Sequence, residues 1–140
     1  MQSISIIVKD YMDTNPLAIK HTTNIHNVVE VLLKRGVSGA PVIDADKKVI
    51  GFVSEQDCLK EILNEAFFCE DPIMVTDVMH KEVLSVTPDT GIIELAQTLL
   101  STKPKIYPVI ATDGKLLGTI TRSHILTALL ENTKETHSRW

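Results

Sequence analysis

Two stretches of the chain place apolar residues at helical spacing. The first is Ile25, Val28, Val29, Leu32 and Leu33, and the second is Ile92, Leu95, Ala96, Leu99 and Leu100. Thr22 or Thr23 is the expected cap of the first helix, and Asp89 or Thr90, after Pro88, that of the second. Gly36 is expected to stop one helix and Pro104 the other. A short apolar run precedes each helix, at 17–20 and 84–87. Two strand-like runs follow each one: 40–43 and 49–53 around a polar turn, then 107–110 and 116–120 around Asp113-Gly114, a hairpin signal. A further helix closes each set, with Leu59, Ile62, Leu63 and Ala66 on one face, and Leu126, Leu129 and Leu130 in its counterpart. The order is β-α-β-β-α, twice, which predicts an α/β (α+β) fold.

The two sets are copies. Sliding the chain by 67 residues brings Asp10 onto Asp77, Met12 onto Met79, Pro41-Val42-Ile43 onto Pro108-Val109-Ile110, and Gly51 onto Gly118. Residues 10–64 and 77–131 share 15 identities in 55 gap-free positions, where chance gives about three or four. The expected organisation is a first repeat with its lead-in at 1–67, a connector at 68–75, a second repeat at 76–132 and a polar tail at 133–140 that carries Trp140. One such unit is marginal alone. Two are expected to pack sheet to sheet about a pseudo-twofold axis, with equivalent turns around a shared cleft. Phe67, Phe68 and Cys69 in the connector serve either as a core plug or as part of a dimer face.

Composition narrows the function. Of 140 residues, 44% are apolar but only 4% aromatic, so Val, Ile and Leu must build the core. No window approaches the ~18 apolar residues of a membrane span. The net charge of −4 comes with no basic stripe, which argues against a nucleic-acid partner. The two cysteines, Cys58 and Cys69, fit neither a disulfide framework nor a zinc site. They read as buried or indifferent thiols of a reducing compartment, so the cytoplasm is the expected location. The five histidines (21, 26, 80, 124 and 137) are scattered, and no phosphate loop, zinc-protease motif or nucleophile elbow is present. A non-catalytic chain without a metal or obligatory cofactor is expected.

The informative segments close the last strand of each repeat: Gly51-Phe52-Val53-Ser54-Glu55-Gln56-Asp57 and Gly118-Thr119-Ile120-Thr121-Arg122-Ser123-His124. Ser54 and Thr121 suit helix caps. Glu55 and Asp57 favour the helix dipole where Arg122 and His124 oppose it. Asp57 suits the hydroxyls of a ribose, whereas Arg122 and His124 beside free helical N–H groups suit an anion, so two unequal sites are expected. A second candidate wall is Val37-Ser38-Gly39-Ala40-Pro41, opposite in the repeat to Lys105-Ile106-Tyr107-Pro108. Gly39 either lets a planar ring approach or only serves the turn, and Tyr107 either stacks on a base or fills space.

Together with Asp10-Tyr11-Met12 and Asp77-Val78-Met79, these segments make both repeats resemble cystathionine-β-synthase (CBS) domains, and the chain resembles a CBS pair, or Bateman module. The resemblance implies a regulatory module that binds AMP, ADP, ATP or S-adenosylmethionine between the repeats. It implies a ribose clamp of Ser54 and Asp57 with a base wall of Leu84, Lys105, Ile106 and Tyr107. The other site would pair Thr121 with Leu17, Val37, Ser38 and Ala40, with Arg122 and His124 beside it. The sequence departs from the family at His124, where Asp is usual, and at Pro104-Lys105-Ile106-Tyr107, which lacks the small Ser-x-x-Pro pattern. The resemblance also implies a homodimer built through helices. With no fused effector domain in view, the expected output is to a partner protein in trans. The alternative function is a structural dimerisation adaptor with vestigial, unoccupied clefts.

Overall fold

The structure is a computed structural model. It describes the backbone of residues 6–68, 73–102 and 105–137, and the side chains of 6–64, 73–102 and 105–133. After a 3-10 turn at Val8–Asp10, the elements are β1 (Ile19–Lys20), α1 (Ile25–Arg35), β2 (Gly39–Ile43), β3 (Val49–Ser54) and α2 (Glu55–Phe68). Then come α3 (Val75–Val78), α4 (Ile92–Leu99), β4 (Ile106–Ile110), β5 (Leu116–Thr121) and α5 (Arg122–His137). This is the mixed α+β, twice-repeated order expected. Phe67, Phe68, Cys69, Pro104 and Trp140 carry expectations that fall outside the described side chains.

The helix ends correct the sequence reading. The cap of α1 is Asn24, whose side chain accepts the Asn27 N–H at 2.9 Å. Thr23 is instead committed to backbone bonds, its N–H to the Lys20 carbonyl and its carbonyl to the Val75 N–H. Gly36 does end α1, at φ 66, with its N–H on the Leu32 and Leu33 carbonyls. The cap of α4 is Gly91, which has no side chain to give. Asp89 and Thr90 close a turn on Thr87 instead, and the Thr87 hydroxyl holds the Asp89 carboxyl below its ordinary range. At its other end α4 stops at Leu99, short of Pro104, where the Ser101 and Thr102 hydroxyls take up the Thr98 carbonyl.

The first strands are shorter than expected, and unequal. β1 pairs in parallel with β2 through Ile19 and Lys20 only, and the His21 N–H extends the ladder onto the Ile43 carbonyl. In the second repeat, 84–87 contributes a single bridge from Val86 to Val109. The repeat position of His21 is occupied there by Pro88, which has no N–H to donate. The result is a three-stranded sheet in one repeat and a two-stranded sheet in the other.

The chain divides into two compact units that cross the sequence repeats. Unit 1 gathers Met1–Pro16, Leu84–Thr112 and Leu117–Trp140, and unit 2 gathers Leu17–Val83 and Asp113–Leu116. In unit 1 the Val8 N–H bonds the Thr90 carbonyl, and Asp13 exchanges both backbone bonds with Thr119. In unit 2 the repeat-equivalent residue His80 does the same with Phe52. Val8 and Val75, also equivalents, are both fully buried, in separate cores. This close approach explains the repeated glycines. A Cβ on Gly51 would strike the Met79 sulfur and the His80 carbonyl, and one on Gly118 would strike the Asp13 carbonyl. Gly39 is required for a similar reason, since its Cβ would lie 2.7 Å from the Phe52 ring.

Within unit 2, the 44–48 turn is held by Asp44, whose Oδ1 accepts the N–H groups of Asp46 and Lys48. It forces Lys47 to φ 65, a left-handed conformation that its repeat equivalent Gly114 adopts freely at φ 87. Lys47→Gly is therefore expected to stabilise the protein by about 0.5–1 kcal/mol, the strain relieved outweighing the unfolded-chain entropy gained. A urea midpoint no higher than that of the wild type would contradict this.

The closing helices bury only part of the expected face, Ile62 on α2 and Leu129 on α5 packing against the cores. On α2 the buried position is Cys58 with Ile62 beside it, while Leu59 and Leu63 are 60% and 51% exposed. On α5, Ile125 and Ala128 are buried, while Leu126 and Leu130 are both 66% exposed. Leucines at helical spacing suit either side of a helix, and here Cys58, Ile125 and Ala128 take the buried side.

Candidate functional site

In unit 2 the chain leaves β3 at Ser54 and enters α2 at Glu55. Ser54 and Asp57 form a reciprocal cap. The Asp57 N–H donates to Ser54 Oγ at 3.2 Å, while Asp57 Oδ2 accepts the Ser54 N–H at 3.0 Å and its hydroxyl at 2.7 Å. The other oxygen, Oδ1, accepts from His80 Nε2 at 3.0 Å. Asp57 is thus held on both sides, its side chain 19% exposed. A cavity of about 560 Å³ opens over it, lined by Ser54, Gln56, Asp57, Leu59, Lys60, Leu63 and His80. An ionised carboxylate only accepts, and each oxygen has two lone pairs. Oδ2 has used both and Oδ1 one, so an acceptor position for a ligand hydroxyl remains on Oδ1.

The equivalent corner of unit 1 keeps the cap and loses the charge. His124 stands where unit 2 has Asp57, its N–H donates to Thr121 Oγ1 at 3.3 Å, and its Nδ1 accepts the Thr121 N–H at 3.0 Å. A backbone N–H can only donate, so Nδ1 is bare and the ring proton sits on Nε2. The imidazole therefore replaces Oδ2 of the carboxylate faithfully, but where Asp57 offers a second acceptor it offers a donor. Arg122, next to it, is exposed.

The remaining residues implied by the resemblance divide between the units. In unit 2, Leu17, Val37 and Ser38 are half-buried and Ala40 is buried; the Ser38 carbonyl accepts the Glu55 N–H at 2.8 Å. In unit 1, Leu84 and Tyr107 line a cavity of about 300 Å³ together with Thr90, Glu94, Thr98 and Thr102, without Lys105 or Ile106. Tyr107 is only 2% exposed, and its hydroxyl lies 2.6 Å from Thr102 Oγ1. A ring so buried is a wall of that cavity and part of the core rather than a free stacking platform. Lys105 is exposed and Ile106 half-buried.

Cys58, one turn into α2, is buried, and burial with Asp57 and Glu55 nearby pushes its thiol up to about 11. At neutral pH it carries almost no thiolate and is chemically inert. Among the described residues no group of His, Cys, Asp and Glu could hold a metal, and no helix is long and apolar enough to cross a membrane.

His80 is the side chain at this corner that sequence reasoning missed. Its signal was available: His80 follows Met79 in the lead-in, and the 67-residue shift aligns it with Asp13 as it aligns Asp57 with His124. The same two residue types occupy the same two positions in exchanged places.

The fold agrees with comparison to known proteins. The CBS domain family model matches residues 8–64 and again 75–131. The chain belongs to the CBS domain family. It is 28% identical to an uncharacterised protein of Methanocaldococcus jannaschii, over 89% of this chain and 92% of that one. It is 31% identical to CBSX1, a chloroplastic CBS domain-containing protein of Arabidopsis thaliana, over 81% of this chain and 58% of that relative's length. The solved structure of CBSX2, from the same plant, in complex with AMP is 32% identical and superposes with a TM-score of 0.77, covering 89% of this chain and 96% of that one.

Proposed function

We propose that this CBS pair is a regulatory module that binds an adenosine nucleotide, with the ribose on Ser54 and Asp57, and reports occupancy to a partner protein. One observation carries the reading. Asp57 is held on both sides by hydrogen bonds from the protein itself, with a lone pair left over a cavity of about 560 Å³, and such preorganisation reduces what binding must spend on ordering. The AMP complex of CBSX2 supports adenine nucleotides as the class to test. Signalling further requires that the ligand favour one arrangement of the protein over another. The test is isothermal titration with AMP, ADP, ATP and S-adenosylmethionine. Saturable heat with at least one of them is expected; no heat with any of the four, from folded protein free of carried-over nucleotide, would leave a structural adaptor as the better account.

The proposal includes a homodimer formed through helices. Of the 15 identities between the repeats, three fall on exposed leucine pairs: Leu33 with Leu100, Leu59 with Leu126, and Leu63 with Leu130. Core packing cannot account for leucine at positions 51% to 88% exposed, and exposed leucine kept at the same positions in both repeats suits a helix-to-helix interface. In unit 2, Leu33 and Leu59 flank a groove of about 470 Å³ between α1 and α2. Light scattering should give twice the 15.5 kDa chain mass, and Leu59→Glu with Leu126→Glu should shift it to one chain mass. A wild-type protein that runs as a single chain would refute the dimer.

A further inference from the structure

We infer that His80 is a positioning residue for the nucleotide site, holding Asp57 so that its free lone pair meets the ribose; this rests on the ribose-binding reading above. The backbone that carries the imidazole is well fixed. His80 exchanges two backbone bonds with Phe52, at 2.8 and 2.9 Å, and the preceding Met79 packs against Gly51. From there its Nε2 reaches Asp57 Oδ1 at 3.0 Å across 23 residues of sequence. Without it, Ser54 alone would tie the carboxylate, through Oδ2, and the terminal torsion, which is soft and turns both oxygens together, would lose one of its restraints. At the two equivalent positions of the other repeat the residue types are exchanged, Asp13 for His80 and His124 for Asp57. In unit 1 each member finds a local partner instead, Asp13 Oδ1 accepting the Asn15 N–H and His124 Nδ1 the Thr121 N–H.

The imidazole is 66% exposed, so its removal should leave the fold intact and act on the ligand only through Asp57. The experiment compares AMP with 2′,3′-dideoxy-AMP, which lacks both ribose hydroxyls and so the one that Asp57 would accept, on wild type, His80→Ala and His80→Gln. His80→Ala is expected to weaken AMP about five- to ten-fold, less than the loss of a direct hydrogen bond to a charged group, because it acts only through Asp57. The dideoxy compound, weaker from the start, should be unaffected. His80→Gln, which returns an N–H donor, should recover part of the loss. An equal loss for both ligands, or none for either, would overturn the positioning role while leaving ribose binding in place. Equal affinity of wild type for the two ligands would instead overturn the ribose reading itself, and the role of His80 with it.

Discussion

A Gly118→Ala variant is expected to lose about 3 kcal/mol of folding stability, the upper end of what overpacking a closed site costs. The added methyl would fall on the Asp13 carbonyl oxygen, with Met12 Sδ at 3.2 Å. A flexible side chain could turn aside, but this carbonyl cannot. It accepts the Thr119 N–H at 3.0 Å, and the Asp13 N–H donates to the Thr119 carbonyl at 2.8 Å. Relief requires lifting the lead-in off β5, which would uncover Val8, a fully buried residue of the unit 1 core. Against a total of about 5–15 kcal/mol for a domain, such a loss is large. Gly91→Ala is the matched control: its nearest contact would be 3.6 Å, and its φ of −68 suits any residue, so a change within about 0.5 kcal/mol is expected. Urea unfolding followed by circular dichroism measures both. A Gly118→Ala midpoint equal to that of Gly91→Ala would mean that the lead-in is not packed as described.

Asp57→Ala is expected to weaken AMP about 100-fold, because hydrogen bonds to a charged group contribute about 1.5–3 kcal/mol each and 1.4 kcal/mol is a factor of ten. The same change removes half of the reciprocal cap on α2, at a cost of about 1 kcal/mol, so titrations belong well below the unfolding transition. Asp57→Asn separates the two effects. It keeps an oxygen for Ser54 and loses the charge, and should bind AMP with intermediate affinity. An Asp57→Ala protein that binds AMP as tightly as wild type would place the nucleotide elsewhere.

Much of the architecture was legible because the chain states it twice. The strands β2, β3, β4 and β5 fall within a residue of the apolar runs that predicted them, and Gly36 ends its helix as expected. The failures were local competitions that spacing cannot decide. Thr23 looks like a cap but its backbone is drawn into the turn that meets Val75, leaving Asn24 to cap. Leu59 and Leu126 look like core, yet the neighbouring Cys58 and Ile125 take the buried side. Only the helix that each residue lies on, not the surface that helix faces, can be read from a run so rich in leucine. At the site, Ser54 was legible as a cap and Asp57 as a first-turn carboxylate, though not the bonds between them. The His80 contact was not, because its partner lies 23 residues away and only the paired register of the repeat hints at it.

The crossing of the lead-ins has a consequence for how the chain is made. Residues Met1–Pro16 belong to a unit completed by Leu117–Trp140, so Val8 and Asp13 leave the ribosome long before Thr90 and Thr119 exist to receive them. At roughly 5–20 residues per second, that interval is on the order of ten seconds. Unit 2 needs little beyond Val83 and can consolidate its core in the meantime. Synthesis from N- to C-terminus therefore completes the middle of the sequence first and its two ends last, with the apolar Ile6, Ile7 and Val8 as the segment that chaperones would meet while it waits.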